Sequence, residues 1–207
     1  MILKSIHRTI YCTIGLLLLS CVKEEPAPAT GTGSGNGGTF IFPTTSMDIV
    51  TSFSEDWDNW RIYYGDSNIQ LTTSFSEDWD NWDASFQNWS ADIYTNFSED
   101  WDNWRLSNGN YTIKMQTSFS EDWDNWDIND NANGWHADVT TSFSEDWDNW
   151  DVYDNGSIVD IQTSFSEDWD NWDVYGNFPE SYPFEYKVAI VFVPIIVNVL
   201  RQQNIIQ

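Results

Sequence analysis

The sequence predicts an all-β protein, an antiparallel meander of six 22-residue hairpin repeats. A ten-residue motif, Ser-Phe-Ser-Glu-Asp-Trp-Asp-Asn-Trp-(Asp/Arg), recurs six times nearly unchanged, and its phenylalanines are spaced by 22, 22, 22, 24 and 22 residues. Residues before and after each motif alternate between apolar and polar side chains, which is the pattern of strands. Turn-forming pairs such as Asn108-Gly109 separate the units. A fixed period in this range indicates repeats that bury a shared core.

Within one repeat, two strands are predicted to meet at the acidic pair Glu55-Asp56. A two-residue loop at this pair places Thr51 opposite Trp60. The apolar face then carries Phe53 and the second Trp of the motif, and the polar face carries the first Trp. A single helical turn across the motif is the second interpretation, because Phe53, Trp57 and Trp60 have helical spacing, but so short a helix is marginal.

A parallel β-solenoid, with one rung per repeat, is the alternative architecture. It would stack each motif's carboxylates over their copies at about 4.8 Å, where like charges destabilise a sheet. Antiparallel hairpins double that spacing and are therefore favoured. About twelve strands must then curl as an open sheet or close into a barrel.

The C-terminal segment, residues 179–207, contains the apolar run 188–200, interrupted by Pro194 and Asn198. The run is shorter than the roughly 20 residues that a membrane-spanning helix needs. Its β-branched content predicts a closing strand, or a cover over the apolar face of the repeats.

The N-terminus has the organisation of a signal peptide over residues 1–20, with a basic segment followed by a short apolar one. Leu18-Leu19-Ser20-Cys21 resembles the lipobox of bacterial lipoproteins, which implies cleavage before Cys21 and its acylation. Cys12 lacks the small residue that should precede it. Lys23-Glu24-Glu25 resembles the surface-export signal of some Gram-negative lipoproteins. Together these resemblances imply a lipid-anchored protein of the outer membrane, exposed at the cell surface.

Two further segments follow the signal peptide in the predicted organisation. Residues 21–39 form the lipidated cysteine and a flexible Gly-rich tether. Residues 40–178 form the six-repeat β domain. The motifs hold −20 of the chain's net charge of −25, since four copies carry −4 and two carry −2. This acidity excludes nucleic acid as a partner.

The repeats predict a binding protein rather than an enzyme. Six near-identical motifs offer equivalent environments to their carboxylates, whereas acid–base catalysis needs unequal ones. Regularly spaced indoles can stack on sugars or enter pockets of a protein partner, and repetition adds avidity. A purely structural surface role is the alternative. The candidate ligand-binding residues are the first Trp of each motif: Trp57, Trp79, Trp101, Trp123, Trp147 and Trp169.

Calcium is a further hypothesis, and no other cofactor is predicted. The motif offers hard carboxylate oxygens of the kind that calcium prefers, although it lacks the glycine of the helix–loop–helix calcium loop. The single histidine of the repeat region, His136, argues against recurring zinc or copper sites. The candidate calcium ligands are Asp78, Asp80, Asp83, Asp122, Asp124 and Asp127.

Overall fold

The computed structural model describes residues 47–64, 67–130, 132–154 and 157–206. The predicted signal peptide, the lipidation site Cys21 and the tether lie outside the described residues. So do residues 40–46, the first part of the predicted repeat domain.

The described residues form twelve β-strands and one α-helix. The strands have five to seven residues each, and buried and less buried positions alternate along them, as in β8. The elements are β1 (Met47–Thr51), β2 (Asn59–Tyr64), β3 (Ser67–Thr73), β4 (Asn81–Phe86), β5 (Trp89–Thr95), β6 (Asn103–Ser107), β7 (Thr112–Thr117), β8 (Asn125–Asp130), β9 (Trp135–Thr141), β10 (Asn149–Asp154), β11 (Ser157–Thr163), β12 (Asn171–Gly176) and α1 (Phe184–Gln202).

The strands form one closed barrel. Each strand pairs antiparallel with its neighbours in sequence, and β1 pairs with β12 to complete the ring. The predicted antiparallel meander is confirmed in its closed form, and the open sheet and the parallel solenoid are excluded. The predicted register is also confirmed, because Thr51 pairs with Trp60.

The second Trp of every motif points into the barrel, as predicted. These six side chains are at most 1% exposed. Each buried indole N–H donates to the carbonyl oxygen of the first Trp of its own motif at 2.8–3.1 Å. Burial therefore leaves no indole donor of this set unpaired, which keeps the desolvation cost of the ring low. The six residues are Trp60, Trp82, Trp104, Trp126, Trp150 and Trp172.

Helix α1 lies inside the barrel. Residues 184–200 are all buried, so no side of the helix along this stretch faces solvent. Phe192 packs edge-on against Trp82 at a centroid distance of 5.6 Å, and the Tyr186 hydroxyl donates to the carbonyl oxygen of Ile128 at 2.6 Å. Strand side chains alone fill a barrel of about eight strands. The wider twelve-stranded barrel is filled by the helix.

The helix runs from one end of the barrel to the other. At its N-terminus the Glu185 carboxylate accepts a hydrogen bond from the indole N–H of Trp89, at the start of β5. An acidic residue in the first turn also suits the helix dipole. Near its C-terminus the Asn198 amide donates to the carbonyl oxygen of Trp169, in the last motif. In the described part of the chain no helix, α1 included, has both the length and the apolarity needed to cross a membrane.

The prediction of a closing strand in residues 179–207 is wrong, whereas a cover over the apolar face agrees with the position of α1. The β-branched residues favour a strand locally, but closure of the barrel pairs every strand edge. A further strand inside would leave its backbone N–H and C=O groups unpaired. A helix satisfies these groups internally even with Pro194 in its middle.

Candidate functional site

The six motifs form loops at one end of the barrel, because successive connections of a meander alternate between the two ends. We call this end the motif rim. Its loops are residues 52–58, 74–80, 96–102, 118–124, 142–148 and 164–170.

Each motif loop consists of two consecutive turns. In the first loop the Asp56 N–H donates to the Phe53 carbonyl oxygen, and the Asn59 N–H donates to the Asp56 carbonyl oxygen. Asn59 also donates its side-chain amide to the Asp56 carboxylate at 2.9 Å. Glu55, the third residue of the first turn, has φ 60, in the left-handed region. The predicted two-residue loop is therefore wrong, because the motif's own polar side chains stabilise a longer loop.

The phenylalanine of each motif consequently leaves the strand and faces solvent. The prediction that Phe53 joins the apolar face is wrong, since its exposure is 77%. The other five are 76–78% exposed. The motif rim thus carries a ring of exposed aromatic side chains formed by Phe53, Phe75, Phe97, Phe119, Phe143 and Phe165.

Neighbouring motif loops are joined by the second Asp of each motif. The Asp58 carboxylate accepts hydrogen bonds from the hydroxyls of Thr73 and Ser76 and from the backbone N–H of Glu77, all in the next repeat. The same three bonds, at 2.8–3.3 Å, recur from each motif to the next and return from Asp170 to the first. We call each set an Asp clamp. The six clamps link the motif rim into a closed ring.

The first Trp of every motif is half-buried. These predicted ligand-binding residues pack against the core, and each ring tilts against the second Trp of its motif at 6.0–6.4 Å. Partial exposure agrees with the prediction. Trp57, Trp79, Trp101, Trp123, Trp147 and Trp169 form an inner ring at the motif rim, and the phenylalanines are more exposed than they are.

Two grooves lie between neighbouring first Trp residues. The groove between Trp79 and Trp101 has a volume of about 380 Å³, and the groove between Trp101 and Trp123 has about 490 Å³. Both contain Ile205, from the tail after α1. Each is lined by four carboxylates and by no basic side chain among the described residues. These carboxylates are Glu77, Asp78, Asp80 and Glu99 in the first groove, and Glu99, Asp100, Asp102 and Glu121 in the second.

On another side of the rim, Arg201 of α1 covers two first Trp residues. Its guanidinium carbon lies 4.5 Å from the ring centroid of Trp147 and 5.6 Å from that of Trp169. Burial lowers the pKa of Arg201, while the charges of Asp148 and Asp124 raise it. A cation packed on two indoles, within the electrostatic influence of these carboxylates, is thus already part of this rim. Sequence analysis missed Arg201, although it is the one basic residue after Lys187.

The candidate calcium ligands are not brought together as one set. Asp80 and Asp124 belong to Asp clamps, and Asp78 and Asp122 accept hydrogen bonds from Asn81 and Asn125. The Asp83 carboxylate accepts one from Ser74. Asp127 lies beside His136 and Asp138, the one group of three ligating residues that the described ranges contain. Calcium binding itself stays a prediction.

In comparisons with protein families, curated proteins and solved structures, nothing matches this chain.

Proposed function

We propose that this chain is a lipid-anchored, cell-surface protein of the outer membrane whose motif rim binds a protein partner through the partner's basic and apolar side chains. Anchoring rests on the resemblance of residues 18–21 to the lipobox. Binding rests on the chemistry of the motif rim, and above all on the two grooves lined by indoles and carboxylates.

The grooves suit a cationic side chain. The face of an indole attracts guanidinium and ammonium groups, and the attraction grows when water is partly excluded. Trp79 and Trp101 flank the first groove, and four carboxylates without a basic neighbour surround it. An arginine or lysine entering this groove would meet both kinds of attraction.

Arg201 supplies an internal model for such a complex. It lies over Trp147 and Trp169, which occupy the same motif position as Trp79 and Trp101. Since the motifs are nearly identical in sequence, the grooves between Trp79, Trp101 and Trp123 offer a partner's cation similar surroundings.

The glutamates of the rim support a role in binding. Glu77, Glu99 and Glu121 have φ values of 60–61 and exposed side chains. An L-residue in this conformation costs about 1–2 kcal/mol, a cost that glycine avoids. The backbone N–H that each glutamate gives to its Asp clamp would be present in glycine as well. The strained position therefore retains a carboxylate that the fold itself does not use.

The ring of phenylalanines offers the apolar part of the contact. Large exposed aromatic groups arranged together mark interaction surfaces, and aromatic residues are enriched where partners bind. Six equivalent loops would also let a partner with several copies of a basic-aromatic segment gain avidity.

Binding can be tested by selecting peptides from a random displayed library on the full chain. We expect selected peptides to be rich in Arg or Lys with an adjacent aromatic residue, and to bind less tightly as salt increases. A triple variant, Glu77→Gln, Glu99→Gln and Glu121→Gln, should bind them about tenfold or more weakly. Its matched control is Asp83→Asn, Asp92→Asn and Asp160→Asn, which removes the same charge from the outer wall.

If both variants lose binding equally, peptide binding depends on the net charge of the protein, and a site in the grooves is contradicted. Peptides without a basic preference would contradict the proposal as well. A glycan array run in parallel separates the other partner class, because a neutral sugar held by the indoles should be insensitive to the Gln substitutions.

A structural surface role is the second candidate, and the Asp clamps favour it. Six interlocked loops require nearly the same residues in each copy, whether or not they bind anything. The peptide selection distinguishes the two, since a purely structural protein should yield no peptides whose binding depends on the groove carboxylates.

Anchoring needs its own test. Cys21→Ser should release the protein from membranes into the aqueous phase of a detergent partition, and Cys12→Ser should not. Retention of the Cys21→Ser protein in the detergent phase would overturn the lipid anchor without affecting the binding proposal.

A further inference from the structure

Three potential metal ligands meet on the outer wall of the barrel, away from the grooves. Asp127 on β8 is directly opposite Asp138 on β9, and His136 lies two residues before Asp138 on the same face. Their ligating atoms lie within 4.8 Å of one another. The imidazole Nε2 is 3.6 Å from the Asp127 Oδ1 and 3.5 Å from the Asp138 Oδ1.

These separations fit coordination better than direct hydrogen bonding. Nitrogen–oxygen hydrogen bonds in proteins measure about 2.7–3.2 Å, so both contacts are long for that purpose. Zn²⁺ binds imidazole nitrogen and carboxylate oxygen at about 2.0–2.2 Å in a tetrahedron, which places neighbouring ligand atoms roughly 3.3–3.5 Å apart. The imidazole and each of the two carboxylates are therefore close to the separation that two ligands of one ion have.

Another hairpin of the barrel has the same facing pair of Asp residues but lacks a histidine beside it. Asp83 and Asp92 face each other in the same way on β4 and β5. At the position that corresponds to His136, that hairpin has Ser90. Each facing Asp pair is a like-charge pair that destabilises its strands. The β8–β9 hairpin alone combines such a pair with an imidazole in the described part of the chain.

An open cavity adjoins this cluster. It has a volume of about 340 Å³ and is lined by His136 and Asp138 together with Tyr153, Asp154 and Tyr182, among others. The His136 side chain is 52% exposed and that of Asp138 is 48% exposed. An ion can thus enter from solvent, and water or an added ligand can occupy a fourth coordination position.

We propose that Asp127, His136 and Asp138 bind one divalent transition-metal ion of the Zn²⁺ type, with the remaining position open to solvent. Two carboxylates and one imidazole form a set that zinc accepts, whereas calcium selects oxygen ligands alone and more of them. The ion would neutralise the facing carboxylates of β8 and β9. This single site goes beyond the proposed function, and it does not depend on the grooves of the motif rim.

Calorimetric titration of the chelator-treated full chain tests the site, with ZnCl₂ and CaCl₂ as the probes. We expect one Zn²⁺ per chain. His136→Ser, which reproduces the Ser90 of the other hairpin, should weaken zinc binding by at least about tenfold, the lower end of what loss of even an outer-shell partner costs. Asp138→Asn should have a similar effect. Asp92→Asn removes the same charge from the control hairpin and should leave zinc binding unchanged.

Zinc should also raise the melting temperature of the wild type, and it should not raise that of His136→Ser. Absence of zinc binding, or equal affinity in wild type and His136→Ser, would overturn the site. So would an equal loss in Asp92→Asn, since zinc would then associate with the acidic wall in general. Calcium binding that survives His136→Ser would instead be the metal binding that the motif carboxylates predict.

Discussion

The carboxylate of Asp170 accepts a hydrogen bond from the hydroxyl of Thr51 at 3.0 Å, across 119 residues of sequence. This contact joins the last motif to the first, at the seam where β12 meets β1. Because the other five Asp clamps connect neighbours in sequence, the bond from Asp170 turns a row of loops into a closed ring.

Removing that contact should weaken the seam. Asp170→Ala leaves the Thr51 hydroxyl, the Ser54 hydroxyl and the Glu55 N–H without their acceptor. Ser54 and Glu55 are exposed, so water can replace the carboxylate there, whereas Thr51 is buried and would lose its acceptor. We therefore expect a loss of about 1–2 kcal/mol in the free energy of unfolding. Urea unfolding measures it. Asp92→Ala, at an exposed carboxylate outside the clamps, is the control and should change stability by less than about 0.5 kcal/mol.

Deleting one repeat tests whether closure fixes the number of strands. Removal of residues 74–95 joins Thr73 to Asn96 and keeps the alternation of the strands intact. A ten-stranded barrel is narrower and cannot hold α1. We expect loss of cooperative unfolding, of near-ultraviolet circular dichroism and of the monomer peak in gel filtration. A folded, cooperative deletion variant would contradict the tight fit between helix and barrel.

Much of the wall could be predicted from the sequence, because strand alternation and a fixed period do not depend on distant contacts. The burial of Trp60 follows from alternation, and its pairing with Thr51 follows from centring the hairpin on Glu55-Asp56. Extending the alternation through the motif predicts the wrong side for Phe53, which is exposed. The hydrogen bonds of Asp56 lie within its own loop, whereas those of Asp58 reach the next repeat and cannot be predicted from one unit.

The contents of the barrel could not be predicted in the same way. The β-branched run 188–200 favours strands by local preference, and only barrel closure makes a helix the better solution. The Asp127–His136–Asp138 cluster likewise requires the β8–β9 register. The spacing of His136 and Asp138 by two residues on a strand was the available sequence signal, but it did not identify Asp127 as their partner.

Two phenylalanines provide a matched test of the inner and outer environments. Phe192 of α1 is fully buried, and Phe119 of a motif loop is 76% exposed. Phe192→Ala should lower the free energy of unfolding by about 3–5 kcal/mol, because it leaves a cavity between the helix and the wall. Phe119→Ala should lower it by less than about 0.5 kcal/mol. Urea unfolding of the two variants makes the comparison, and similar losses would contradict the placement of α1.

Stability should fall in alkaline solution. Burial raises the pKa of Tyr64 from 10.0 to about 12, and burial also raises the pKa values of Tyr182 and Tyr186. The folded state therefore retains protons that the unfolded state loses above pH 10. This contribution to stability is fully present below pH 10 and is lost as the pH rises towards 12.

The measurement is urea unfolding at several pH values between 8 and 11.5. Tyr64→Phe removes one titrating group, so its stability should decline less steeply than that of the wild type, by up to about 1.4 kcal/mol per pH unit. Tyr175→Phe is the control, because Tyr175 is exposed and lies on the outer wall. Parallel pH profiles for the wild type and Tyr64→Phe would contradict the assignment.

Replacing Arg201 should both destabilise the barrel and create a new cation site. Its guanidinium lies over Trp147 and Trp169, so Arg201→Ala should cost about 1–2 kcal/mol of unfolding free energy. The vacated space would resemble the grooves beside Trp101, with two indoles and nearby carboxylates. Tryptophan fluorescence titrated with N-acetyl-arginine amide should therefore indicate tighter or additional binding in the variant.

Arg201→Lys keeps a cation in place and should behave like the wild type. If Arg201→Ala binds the amide no better than Arg201→Lys does, paired indoles of this rim do not by themselves form a cation site. The Arg201 site would then no longer support cation binding in the grooves.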